Sequence, residues 1–304
     1  MLRGTIAGVL WLWAGWTAAA EPAAFMQGKP FACTDYSGKK VFLVGADGAV
    51  TWEYASGTCN DLWVLPNGNL LFNTGFGVQE VNRDKQVVFE YKSRSEIYAC
   101  QRLLDGNTFI GECNSGRLLE VAPDGKITKE VRLLPEGTDR GHAYIRNARR
   151  LANGHYLVTH YGEQKVREYD PQGKQVWEAA APGGPHSVAR LPNGHTLIST
   201  GDIGKDPRLI EVDRAAQVVW ELSNRDLEGA PLKFLTGFQR LPNGHTVISN
   251  WLGHGQFGKA PHLLEVTPEK RVVWTYANHK DMRTISSIVV LDAAGKLLPG
   301  DMIH

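Results

Sequence analysis

Ten histidines lie in this 304-residue chain, and their spacing sorts them into two kinds. His155, His195 and His245 each follow an Asn-Gly pair; they recur because a turn recurs and read as structural. His142, His160 and His186 stand outside that phrase. Three convergent imidazoles could hold a divalent metal. They could equally supply acid–base or nucleophilic chemistry, since imidazole titrates near neutrality. Arg146 adds a guanidinium of the type that grips carboxylate, phosphate or sulfate through two parallel bonds. Glu112 offers a carboxylate suited to act as general base or as partner to a histidine.

A repeat must bring these groups together. Leu-Pro-Asn-Gly-Asn at 65–69 returns as Leu-Leu-Asp-Gly-Asn at 103–107 and Leu-Ala-Asn-Gly-His at 151–155. Leu-Pro-Asn-Gly-His follows at 191–195 and 241–245, and Leu-Asp-Ala-Ala-Gly at 291–295. The phrases are 38 to 50 residues apart, a period that marks repeat architecture. Asn-Gly between apolar runs predicts a hairpin with a type I′ turn. A second phrase, such as Leu209–Asp213 followed by Val218–Glu221, predicts two more strands per unit. Four short antiparallel strands in each of six units predict an all-β, six-bladed β-propeller. The N-terminal piece, 41–44 and 50–53, has only the second phrase; the C-terminal piece, 288–291 and 296–298, has only the hairpin. Together they complete one blade, so the chain ends are expected to meet there and close the ring, removing exposed sheet edges. Trp52, Trp177, Trp220 and Trp274 share one repeat position, which predicts packing between blades.

The first strand of each blade should line the central channel. Counting back from the repeat leucine puts Asn60, Tyr98, Arg146, His186, Thr236 and Ser286 at the mouth. Counting forward to the end of the second strand adds Thr74, Glu112, His160, Thr200 and Asn250, with Asp202 and His254 in loops just beyond. The expected site has His186, His160 and Glu112 as catalytic groups. Arg146, His142, Asp61, Asp202, Tyr98, Asn250 and His254 are its binding groups, and His142, His160 and His186 its possible metal ligands. The turn end shows nothing comparable.

Composition narrows the classes. Arg3, the apolar run Ile6–Trp16 and Ala18-Ala19-Ala20 read as a secretory signal peptide spanning 1–20, the run being too short for a membrane span. Residues 21–304 then form one propeller domain, periplasmic or secreted. Thirty-three basic and 32 acidic residues nearly balance, which argues against nucleic acid or an anionic membrane as partner. Four cysteines in an exported chain allow disulfides, Cys33 with Cys59 and Cys100 with Cys113.

The phrases at 184–194 and 209–221 resemble the repeats of the quinoprotein-like and arylsulfotransferase-like propellers. Their motifs specify the blade more than the activity. The resemblance implies a channel histidine that carries a sulfuryl group, for which His186 is the nearest position. It also brings pyrroloquinoline quinone with calcium, but the chain has neither a vicinal Cys-Cys nor a clear acidic calcium cluster. The expected function is an exported transferase, hydrolase or lyase acting on a small polar, anionic molecule, such as a carbohydrate or aryl conjugate. The rival is a propeller that only binds a ligand or protein, for which Trp251 and Tyr161 would be rim aromatics. Oligomeric state is open at this stage.

Overall fold

A computed structural model of the chain describes residues 28–201 and 206–298 and the backbone of the short strand Met302–Ile303. The expected signal peptide lies outside the described residues. Six sheets of four antiparallel strands form a six-bladed propeller. Blades one to five span 62–92, 97–132, 145–180, 185–222 and 235–276. Met302–Ile303 adds a fifth strand beside Leu235–Arg240, the inner strand of blade five. No helix among the described residues is long and apolar enough to cross a membrane.

The ring closes through the chain ends, with a different division of strands from the one expected. Ile285–Val290 is the only C-terminal strand in blade six. Phe31–Asp35, Lys40–Val44 and Val50–Ala55 supply the other three. Phe31–Asp35 is buried along its whole length and pairs on both sides. It occupies the second-strand place that 296–298 was expected to fill; Leu297 makes one isolated bridge to Leu291.

The repeated turn also differs from type I′. Gly68, Gly106, Gly154, Gly194 and Gly244 have positive φ, but the residues before them do not. In the fourth phrase Gly194 N–H donates to Leu191 C=O, and Asn193 Oδ1 accepts from His195 N–H. This is a type I turn followed by a left-handed glycine. Pro192 suits this turn, because its ring holds φ negative as the first central position of type I requires; Leu104 and Ala152 hold the same place in phrases that turn alike.

Both faces of each blade pack on neighbours, so the inner three strands are apolar on both sides. The result is six apolar clusters, one per seam. A polar clasp is superimposed on five seams. The glutamate of the Leu-Glu-Val phrase is buried and meets a cation from the next blade. Glu80 pairs with Arg102 at 2.5 Å, Glu120 with Arg150 at 3.0 Å and Glu168 with Arg190 at 2.7 Å. Glu211 pairs with Arg240 at 3.4 Å and Glu265 with Lys29 at 2.5 Å. The second carboxylate oxygen accepts from the turn of its own blade: Asn69, His155, His195 or His245. The turn histidines are therefore structural, as expected. The tryptophans also join blades, Trp52, Trp177 and Trp220 donating to turn carbonyls of the next blade.

All four cysteines are buried thiols outside any disulfide. Burial pushes the Cys113 and Cys59 thiols up to about 11 and about 12 and raises Cys33 and Cys100 well above the usual value. Such thiols are unreactive at neutral pH. Cys100 lies opposite Ile110 in its ladder.

Glu168 carries His155, Arg190 and Arg214 at once. Replacing this buried carboxylate with alanine leaves the largely buried Arg190 unpaired, and Glu168→Ala is expected to destabilise the fold by about 3 kcal/mol. Urea denaturation checks this; an unchanged midpoint would show that the clasp is energetically idle.

Candidate functional site

A β-bulge builds the mouth. In blade two Ile97 pairs with Glu112 and Ala99 with Gly111, leaving Tyr98 as an extra residue. The same break isolates Arg146 in blade three, His186 in blade four, Thr236 in blade five and Ser286 in blade six. A bulge kinks the strand and re-aims one side chain. Arg146, His186 and Thr236 line a cavity of ≈ 140 Å³ at this end of the channel, together with Asn60 from blade one. Of the six residues counted along the first strands, these four line the cavity, and Tyr98 and Ser286 do not.

The second-strand count was one residue short. His160, Glu112 and Asn250 do not line the cavity; Tyr161, Trp251 and Tyr36, each one position beyond the end of a second strand, do. A one-residue shift reverses which face a side chain occupies. His160 is fully buried, its Nε2 2.8 Å from the Tyr169 hydroxyl and its ring against Tyr144. Glu112 accepts hydrogen bonds from Ser93 and Ser115 and clamps a loop. Asn250 ties two loop segments together, accepting from Lys233 N–H and donating to the carbonyls of Pro231 and Pro261. Asp61 lies deeper in the channel, in a bidentate pair with Arg149 at 2.7 and 2.8 Å. Asp202 falls outside the described residues. The expected three-histidine metal set is not assembled, because His160 is sealed inside blade three. No group of three or more His, Cys, Asp or Glu is arranged for a metal among the described residues.

His186 and Arg146 are the two basic side chains that these bulges bring to the cavity. His186 is 3% exposed, and its Nδ1–H donates to the Thr236 carbonyl at 2.9 Å. The bulge of blade five removes Thr236 from its ladder and so frees that carbonyl. With Nδ1 protonated, the Nε2 lone pair is available on the cavity that the ring lines. Burial, reinforced by the positive charge of Arg146, pushes the His186 pKa down to about 3. The Arg146 guanidinium lies between two phenol rings, 4.5 Å from the centre of Tyr98 and 4.9 Å from that of Tyr161. These stacks hold it by cation–π attraction. Among the described residues it has no carboxylate partner, and its buried Nε has no hydrogen-bond partner.

His142 and aromatic rings complete the rim. His142 Nδ1 lies 2.7 Å from Glu96, while its ring meets Tyr98 edge-on. Glu96 stands two positions before the bulged Tyr98 and gave no signal of its own in the sequence. Phe234 stacks on Tyr161 and presents its ring to His186. Gly184 and Gly201 permit this, since a Cβ on either would collide with the ring of Tyr161 or Phe234. His254 sits against Trp251, 4.9 Å between ring centres. A neighbouring hollow of ≈ 320 Å³ shares Phe234, Trp251 and His254 with the mouth.

Buried neutral histidines set an acid limit. Burial lowers His160 to about 3 and His262 to about 4, beside His186 at about 3, from the ordinary 6.5. The unfolded chain takes up these protons below 6.5 and the folded chain refuses them until near 3 to 4. Their contribution to stability is therefore complete above about 6.5 and lost as pH falls towards 4. Urea midpoints are expected to drop between pH 7 and pH 4.5, with a shallower slope in His262→Gln. Parallel slopes would contradict the assignment.

No family model matches the chain, and no curated protein matches it. Among solved structures, a protein of unknown function from Bacteroides caccae is 27% identical, with a TM-score of 0.77 over 86% of this chain and 98% of that one. A streptogramin B lyase is 14% identical, with a TM-score of 0.57 over 84% of this chain and 85% of that one. A catalytically inactive histidine-to-alanine virginiamycin B lyase from Staphylococcus aureus with quinupristin is 16% identical, with a TM-score of 0.54 over 84% and 86%. At these identities the two lyases share the propeller fold with this chain. The names are those of lyases, where the repeat phrases resemble arylsulfotransferase-like and quinoprotein-like propellers.

Proposed function

We propose that this propeller is an acid–base enzyme, of lyase type, acting on a small anionic molecule held in the mouth. The observation that carries the reading is the pairing of His186 with Arg146. A neutral imidazole, its tautomer fixed by the Thr236 carbonyl, stands beside a guanidinium that has no carboxylate partner among the described residues. Arg146 binds the anionic group. His186 Nε2 takes the proton from the adjacent carbon, and the electrons of that C–H bond form the double bond as the leaving group departs. His142, oriented by Glu96 and within 3.3 Å of the Tyr98 hydroxyl that burial keeps protonated, donates a hydrogen bond to the leaving group. The lyase names among the solved propellers, one of them an inactive histidine variant, support this reaction type.

Arg146 also regulates the base. Its charge contributes to holding the His186 proton affinity down. An anion docked on Arg146 cancels that charge, so His186 becomes a stronger base when substrate arrives. Arg146→Gln is expected to raise the His186 pKa, read from the imidazole NMR titration. With a panel of small organic carboxylates and sulfates analysed by mass spectrometry, His186→Ala is expected to lose turnover by about 10²- to 10⁴-fold. A folded His186→Ala with full turnover overturns the reading. A panel member that binds but returns intact favours the rival, a ligand-binding propeller, for which the wall of Tyr36, Tyr161, Phe234 and Trp251 speaks.

Export belongs to the same proposal. The basic, apolar and small-residue order of positions 3–20 is that of a cleaved signal peptide. N-terminal sequencing of the protein from the exported fraction is expected to begin at Glu21; retention of Met1 there counts against it.

A further inference from the structure

The turn end of the channel holds the larger cavity, ≈ 660 Å³, a volume in the usual range for ligand pockets. Its origin is an inequality between blades. Two positions before the repeat leucine, the inner strands carry Trp63, Gln101, Arg149, Ala189, Gln239 and Val289. Ala189 leaves the space that a larger side chain would fill, and Trp63, Gln101 and Arg149 stand around it.

Charge in this cavity is one-sided. Arg149, Arg150, Arg190 and Arg214 line it with a single carboxylate, Glu168. Arg149 is matched by Asp61 and Arg150 by Glu120. Arg190 and Arg214 share Glu168, which also serves His155. Positive charge is therefore in excess. Burial and the neighbouring Arg214 depress Arg190 to about 10, a sign of the same field, and Arg190 Nε has no hydrogen-bond partner among the described residues. Trp63, Leu297 and Leu298 give the cavity an apolar wall.

We propose that this cavity is a second binding site, separate from the mouth, for an amphipathic organic anion. Its carboxylate or sulfonate head meets Arg190 and Arg214, and its apolar body lies along Trp63, Leu297 and Leu298. The site does not depend on the reaction proposed for the mouth.

Decanoate is the probe, titrated into the full-length protein by calorimetry. Saturable one-to-one binding is expected. Arg214→Gln, at a half-exposed side chain, is expected to weaken it about tenfold, the worth of one charge-assisted hydrogen bond. Ala152→Trp, on an exposed turn residue at the rim, is expected to abolish it with the thermal melt unchanged. Arg146→Gln, at the other end, is expected to leave it intact. No binding at millimolar decanoate overturns the proposal. So does binding that survives Ala152→Trp or is lost with Arg146→Gln, which would put the anion in the mouth and leave the mouth reading standing.

Discussion

A buried carboxylate at each of five seams holds the ring in register. Burying a charge is costly unless its partners come with it, and here they arrive from two blades. The glutamate belongs to one blade and its cation to the next, and in all but Glu120 a histidine or asparagine of the glutamate's own turn holds the other oxygen. Satisfying the carboxylate therefore fixes the angle between blades. Arg146, His186 and Thr236 come from three different blades, and their mutual geometry inherits that angle. The exception supports the argument. In blade six the glutamate position is Leu43, opposite Trp52 as Glu168 is opposite Trp177. The arginine position of blade one is Val64. Both partners are absent together, and both residues join the apolar cluster of that seam. Losing one partner would strand a charge, whereas losing both leaves a well-packed contact.

The bulge converts this uniform scaffold into a site. In a regular strand the residue after Ile145 or Pro185 would pair across the ladder. The extra residue escapes pairing, turns inward, and is free to be any type. The bulge also releases a backbone carbonyl, and the one from Thr236 sets the tautomer of His186. Aromatic rings supply the remainder: Tyr98 and Tyr161 hold a guanidinium that no carboxylate among the described residues pairs with.

Much of this was legible in the chain. The Asn-Gly phrases counted the blades, and stepping back from the repeat leucine reached Asn60, Arg146, His186 and Thr236. What failed failed by one residue. A bulge inserts a residue without any sequence signature, so the partner strand was read out of phase. His160, Glu112 and Asn250 were placed in the mouth, where Tyr161 and Trp251 stand. Pro192 favours the first central place of a type I turn, a preference that the Asn-Gly signal outweighed. Glu96 was invisible because its role depends on His142, 46 positions away. The turn-end arginines were passed over because each also fits a clasp; their shared shortage of carboxylates exists only in three dimensions.

The pairing of Phe31–Asp35 with Ile285–Val290 joins residues separated by almost the whole chain. Joining such distant segments carries a large loop-closure entropy and slows the search for the native contacts. Blades one to five can each form from local hairpins as soon as their strands are available. Phe31–Asp35, made first and buried last, must wait as an unpaired apolar strand until the rest of the chain has arrived. Its exposure during that interval makes this strand, the first among the described residues, the segment most in need of protection from aggregation.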